Sequence, residues 1–234
     1  MSHSNVAVPG VNEQVMVTTR PDRGNTFDFA NALPPPVNQS VEGTPHISLD
    51  GLSLYFFSER AGGGADARDL YVATRSDPNG TFNTASALSS VNSSSTDHLP
   101  WTSADELRLY FASRRSGTLD IWRSTRASRA QAFGAPAAVS ELNSSADDNG
   151  GTLTQDERTI ILSSNRPNGA GGYDLYQAVR AGTDEPFSTP EPLTALNTSS
   201  TEGDPSLSPD GQELFFISTR NSATEIWRSI RTCP

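Results

Sequence analysis

The chain has 234 residues, a formal net charge of −10, a pI near 4.7 and a single cysteine, Cys233, and all seventeen of its basic residues are arginine. That acidity disfavours sequence-independent binding to nucleic acid or to an anionic membrane, both of which need clustered cations. One cysteine cannot build a disulfide framework, and apolar runs of about five residues are too short to span a bilayer.

In chain order, Met1 to Gly10 lacks the basic segment and long apolar core of a secretory leader, so no signal peptide is expected. Gln14 to Arg20 then matches the third phrase of a sentence that the rest of the chain repeats. Four copies follow at a spacing of about fifty residues, and such self-similarity marks a repeat architecture. Thr44-Pro45-His46-Ile47-Ser48 reads as a strand a. Asp50-Gly51 is a hairpin turn, and Leu52 to Phe57 is strand b. After the glycine-rich Ala61-Gly62-Gly63-Gly64, Asp69 to Arg75 is rich in β-branched and aromatic residues and gives strand c. A weaker strand d follows an aromatic residue each time, over 29–37, 82–91, 133–142 and 187–196. Its prolines, among them Pro34, Pro136 and Pro192, place it on a sheet edge. Successive copies keep the phase: the turn aspartates are Asp50, Asp105, Asp156 and Asp210, and the strand b phrases close on Ser-x-Arg at Arg60, Arg115, Arg166 and Arg220. Two turns read Asp105-Glu106 and Asp156-Glu157 in place of Asp-Gly, which leaves their turn type open.

Four antiparallel strands per period, ending in a proline-bearing edge and without any run of period 3.6, describe an all-β chain built as a β-propeller of about five blades. The whole chain, 1–234, reads as one domain. It divides into a partial N-terminal blade over 1–40, full repeats over 41–95, 96–146 and 147–200, and a last repeat over 201–234 that lacks its outer strand. The partial blade shows c and d but no recognisable a or b. Either upstream strands belong there, or the ring closes by pairing its two terminal segments.

The phrase Asp204-Pro205-Ser206-Leu207-Ser208-Pro209-Asp210-Gly211, followed by Leu214 to Arg220, resembles the TolB-type (WD40-like) β-propeller repeat, over roughly residues 10–231. The resemblance implies a non-enzymatic binding or scaffold module in the periplasm or outside the cell, whose partner is a protein or an envelope component.

Because successive strands are antiparallel, the start of a, the end of b and the start of c share one face of the disc. Glu42, Asp97, Asp148 and Glu202 should thus lie near Arg60, Arg115, Arg166 and Arg220, and near Asp69, Asp120, Asp174 and Glu225. On the other face the turn aspartates should meet Arg75, Arg126, Arg180 and Arg231. Such sets suit carboxylate–guanidinium pairing that locks each hairpin. The alternative use of Glu42, Asp97, Asp148 and Glu202 is a carboxylate collar at the mouth of the axial channel, with Asp147 and Asp204 adding negative charge, whose oxygens could hold Ca²⁺, although no contiguous calcium loop is present.

Residues that break the repeat are the other route to a site. One strand a column reads His46, Trp101, Thr152 and Ser206, and His98 lies nearby. With the collar, His46, His98 and Trp101 are the candidate ligand-binding residues, for a peptide side chain, a small molecule or a glycan. No catalytic motif occurs and no cofactor or zinc site is expected, His3 and Cys233 lying at opposite ends of the chain. Two alternatives stay open: a carbohydrate-active propeller, lectin-like or hydrolytic with a carboxylate pair, and a regulatory propeller of a larger hydrolase. Asn38, Asn92, Asn143 and Asn197 match the glycosylation sequon but also suit turns.

Overall fold

The structure, a computed structural model, describes residues 13–60 and 68–231. His3, the segment Gly62–Gly64 and Cys233 lie outside them. Among the described residues there is no helix. Strands β1 (Met16–Val17) and β2 (Asn31–Ala32) pair as a short N-terminal sheet. Blade I is β3 (Glu42–Ile47), β4 (Ser53–Ser58), β5 (Asp69–Thr74) and β6 (Ser86–Ala87). Blade II is β7 (Asp97–Thr102), β8 (Arg108–Ser113), β9 (Asp120–Thr125) and β10 (Ala137–Ala138). Blade III is β11 (Asp148–Leu153), β12 (Thr159–Ser164), β13 (Asp174–Val179) and β14 (Glu191–Pro192). Blade IV has only β15 (Glu202–Leu207), β16 (Glu213–Ser218) and β17 (Glu225–Ile230). Each sheet runs antiparallel in chain order, so strands a to d lie as the repeat predicts.

The fourth strand is shorter than expected, at two residues in each sheet that has one. Its remaining length is held by the side chain of the sequon asparagine instead of a ladder. Asn92 Oδ1 accepts the amide of Leu70 at 2.8 Å while its Nδ2 donates to the Leu70 carbonyl at 3.1 Å. Asn143 does the same to Ile121, Asn197 to Leu175 and Asn38 to Val15. The aromatic residue that opens the segment also needs correction at its first occurrence. Arg75, Arg126 and Arg180 stack on Phe82, Phe133 and Phe187 at 4.3–4.4 Å, and Arg20 stacks on Phe27 at 4.6 Å. Phe27 is the repeat residue, whereas Phe29 is 96% exposed.

All four a–b turns share one conformation. Gly51 and Gly211 have φ of 73° and 66°, and Glu106 and Glu157 adopt the same left-handed region at 56° and 55°. A glutamate there is strained, and each is tied into a blade junction. Tyr55 of blade I donates to Glu106 at 2.7 Å, and Arg108 of blade II pairs with Glu157 at 2.5 Å. Apolar side chains of neighbouring strands b fill the same junctions: Tyr55 and Phe57 with Leu109 and Phe111, Tyr110 with Ile160 and Leu162, and Ile161 with Leu214 and Phe216.

The N-terminal sheet follows blade IV as blade II follows blade I. Arg129 of blade II pairs with Asp50 of blade I at 2.8 Å, and its repeat counterpart Arg23 pairs with Asp210 of blade IV at 2.5 Å. Arg20 reaches Glu213 at 2.5 Å, and Phe27 meets Phe215 edge-on with centroids 6.0 Å apart. The ring therefore closes through side chains of the partial blade and blade IV. A backbone relay links the start of each strand c to the next strand a: Glu13 O accepts from Glu42 N, Arg68 O from Asp97 N, Leu119 O from Asp148 N and Tyr173 O from Glu202 N, at 2.7–2.9 Å.

Candidate functional site

The strand-start carboxylates Glu42, Asp97, Asp148 and Glu202 have no solvent exposure. Each is held by its own hairpin. Glu42 accepts from Ser58 Oγ at 2.8 Å and pairs with Arg60 at 3.1 Å, and Asp148 accepts from Ser164 Oγ at 2.6 Å and pairs with Arg166 at 2.5 Å. Asp97 pairs with Arg115 at 2.8 Å, Glu202 with Arg220 at 3.3 Å. The arginines in turn cover aromatic rings of strands b and c, such as Phe111, Trp122 and Tyr176. Buried charges need this full set of partners, since an unpaired one would cost several kcal/mol of desolvation. These four carboxylates point into their blades, not into the channel, and none lines the axial cavity. Among the described residues no group of three or more His, Cys, Asp or Glu side chains could hold a metal.

The expected contacts of the other charged columns need revision. The strand c acids do not join those arginine pairs: Asp120 accepts from Ser116, and Glu225 accepts from Asn221 at 2.8 Å. The turn aspartates cap their own turns, as when Asp50 Oδ1 accepts from Ser48 Oγ at 2.7 Å and from Leu52 N at 3.0 Å. Arg75, Arg126 and Arg180 donate through Nε to the turn carbonyls of Gly51, Glu106 and Glu157, at 2.7–2.8 Å. The antiparallel argument located these faces correctly, but strand geometry alone could not choose between a side-chain and a backbone acceptor.

The axis of the ring holds a cavity of about 700 Å³, walled by strands a from the bulge toward the a–b turns. Each strand a is irregular: its register slips at Gly43/His46, His98/Trp101, Asn149/Gly151 and Gly203/Ser206. Thr44, Leu99 and Asp204 take φ of 42°, 51° and 47° at this bulge, which bends the strand and re-aims its side chains. His46 and Trp101 line the cavity, with ring centroids 5.6 Å apart, and His46 Nε2 lies 3.1 Å from Thr102 Oγ1. Burial holds the His46 ring neutral, its pKa lowered to about 4. His98 does not reach this cavity. It lies where Arg68 and Arg114 act on it, and burial first and then those cations lower its pKa to about 3.

The column Thr44, Leu99, Gly150 and Asp204 also lines the cavity, and of its members the sequence points only to Asp204, as an added charge beside the collar. Its signal was the same as that of the His46 column, since four blades supply four different residues. Asp204 is exposed to the cavity and makes no hydrogen bond or ion pair with any described residue. Desolvation by the surrounding walls, and then Glu13, raise its pKa to about 6, with Arg68 opposing.

A ring of antiparallel blades about an axial cavity, three of the described sheets four-stranded, defines a β-propeller, and the solved structures it is similar to share that fold. They include putative TolB from Agrobacterium tumefaciens (16% identity, TM-score 0.51, covering 81% of this chain and 58% of that one). TolB from Acinetobacter baumannii matches at 16% identity and TM-score 0.51, over 93% of this chain and 49% of that one. An endo-arabinase from Bacteroides thetaiotaomicron matches at 15% identity and TM-score 0.65, over 94% of this chain and 87% of that one. The chain spans about half to three-fifths of the two TolB structures. No family model and no curated protein matches the sequence. The fold is thus a β-propeller, shared by the TolB structures and by the endo-arabinase, and it does not by itself name an activity.

Proposed function

We propose that this propeller is a non-enzymatic binding module of the cell envelope that recognises a polypeptide through its axial cavity. The observation that carries this reading is the division of labour among its residues. Side chains that recur in every blade are consumed by internal pairs, such as Asp148 with Arg166, while the cavity wall is made of those that differ: His46, Trp101, Thr152 and Ser206. A largely apolar cavity with a few polar groups is the usual form of a binding site. The likeness to TolB supports an envelope location, and Trp101 beside a neutral His46 offers an aromatic wall for an apolar or aromatic side chain. The test is an array of peptides from envelope proteins, probed with the wild type and with Trp101→Ala. Peptide binding that is lost in Trp101→Ala supports the reading, and no binding to any peptide overturns it.

One observation favours a second reading, that of a carbohydrate-active propeller. Asp204 is a carboxyl whose pKa is raised to about 6, with Glu13 among the groups that act on it, and a pair of carboxyl groups is what glycoside hydrolysis uses. The likeness to the endo-arabinase points the same way. Chromogenic glycosides, arabinosides included, test it directly: turnover abolished by Asp204→Asn would establish this reading over the first.

A further inference from the structure

The charges on the wall of the axial cavity do not cancel. Among the described residues its charged side chains are Asp50, Arg75 and Asp204, and His46 adds none because its ring is neutral. Two of the three are already committed. Asp50 accepts from Ser48, Leu52 and Arg129, while Arg75 donates to the Gly51 carbonyl and lies on the Phe82 ring. Asp204 makes no hydrogen bond or ion pair with a described residue. A carboxylate shut partly away from water without a partner is unfavourable, so the wall is complementary to a positive charge.

The neighbouring positions narrow the form of that cation. At the level of the bulge, Thr44 Oγ1 accepts from Leu99 N at 3.0 Å, and a Cβ on Gly150 would come within 2.8 Å of the Leu99 side chain. Blades I to III therefore show aliphatic surface at the level where blade IV shows Asp204. Two residues further along each strand a, roughly 6–7 Å toward the turns, comes the second column. There the His46 and Trp101 rings lie 5.6 Å apart, and Thr152 Oγ1 accepts from Leu207 N at 3.2 Å. One anion, an aliphatic side chain and an aromatic wall thus surround the same space. Lysine and arginine match it, since each carries a cationic head on an apolar stem and settles on aromatic rings. A metal ion does not, because hard cations take several oxygen ligands and no group of three His, Cys, Asp or Glu among the described residues could hold one. The net charge of −10 draws basic partners toward the protein as well.

We propose that the axial cavity receives a basic side chain, lysine or arginine, of its polypeptide ligand, with Asp204 as the counter-ion and with Leu99 and Trp101 as the surfaces for the stem and for a neighbouring residue. The charged head meets Asp204 at the bulge level, and the apolar part of the ligand lies on the aromatic wall of the next level. The raised pKa of Asp204, near 6, fits a carboxyl that the walls desolvate and that no cation within hydrogen-bonding distance yet compensates. The inference rests on the reading that the ligand is a polypeptide, and it names the residue type by which that polypeptide is selected.

The probe is a set of hexapeptide pools in which one central position is fixed as lysine, arginine, norleucine or glutamate and the others are varied, each titrated with the full chain. Norleucine keeps the stem of lysine and lacks its charge. Basic pools should bind about tenfold or more tightly than the norleucine pool, and the glutamate pool most weakly. Asp204→Asn keeps the size of the side chain, and asparagine tolerates the left-handed backbone at this position, so the fold is retained while basic and norleucine pools come to bind alike. Ser206→Lys, which tethers a cation inside the cavity, should remove the preference too. Glu191→Gln takes a negative charge from the outer strand of blade III, away from the cavity, and leaves the preference unchanged. Equal binding of lysine and norleucine pools by the wild type would overturn the proposal, as would a basic preference that survives Asp204→Asn or Ser206→Lys. A preference lost equally in Glu191→Gln would assign it to overall charge and overturn the proposal as well. Trp101-dependent binding that is indifferent to the fixed residue would sink this proposal alone, whereas no binding of any pool would remove the polypeptide reading with it.

Discussion

Asn143 grips the backbone of Ile121 from both sides, its Oδ1 accepting at 2.8 Å and its Nδ2 donating at 3.1 Å. The contact substitutes for a strand of which only Ala137–Ala138 remains regular. Asn143→Ala leaves two main-chain groups unsatisfied and should lower stability by about 1–2 kcal/mol in urea denaturation. The same contacts occupy the amide that a glycosyl group would need. Expressed through a eukaryotic secretory route, the folded protein should show no glycan at buried Asn38 by mass spectrometry.

Glu157 combines strain with a buried ion pair, so two substitutions at this position should differ. Glu157→Ala leaves Arg108 without its 2.5 Å partner and the fully buried Arg180 without its carboxylate, at a cost of about 3 kcal/mol. Glu157→Gly loses the same pairs but relieves the positive φ, and should be less destabilised by about 1 kcal/mol. Equal losses in thermal melts would show that the turn carries no strain.

Asp204 gives a pH dependence of definite sign. Its carboxyl takes up a proton more readily in the folded chain, near pH 6, than at the ordinary value of 3.8. The native state thus holds more protons than the unfolded state between these values, and its stability falls as pH rises through that window. Asp204→Asn should therefore raise stability at pH 7.5, by about 1 kcal/mol given solvent screening of an exposed group, and change little at pH 3.5.

His46 and His98 act in the opposite direction. Both are neutral when folded, with pKa values near 4 and 3 against an ordinary 6.5, so the unfolded chain binds more protons between pH 4 and 6.5. Their contribution is complete above pH 6.5 and is lost on acidification. His46→Gln should reduce the slope of stability against pH in that range, corresponding to about 1–2 kcal/mol between pH 7 and pH 4.5. An unchanged slope would mean that the imidazole is already solvated.

Much of the propeller was legible because its evidence is repetition. Asp50, Asp105, Asp156 and Asp210 fixed the phase, and strands a, b and c fell into place around them. The fourth strand was overdrawn because an aromatic residue and prolines mark where the chain turns outward, not how far a ladder extends. Phe29 was chosen over Phe27 because the segment was anchored on its own composition; counting seven residues from Arg20, as from Arg75 to Phe82, identifies the right ring. The site was less readable. Glu42 and its equivalents recur beside arginine and serine whether they face a channel or a blade interior, and only the direction of the side chain separates the two. Asp204 is legible in the sequence only as an extra charge beside the collar, inside a phrase that otherwise reads as repeat. What distinguishes it is the company it lacks, which no sequence states.

The glutamates at the left-handed turns also limit how the blades can be rearranged. Glu157 of blade III depends on Arg108 of blade II, and Glu106 of blade II on Tyr55 of blade I, whereas blade IV has Gly211 in that position and takes its acid from Glu213. Each repeat is thus fitted to the one before it. Blades that look alike in sequence are not interchangeable parts, and a permuted or shuffled ring would have to carry its junctions along with its blades.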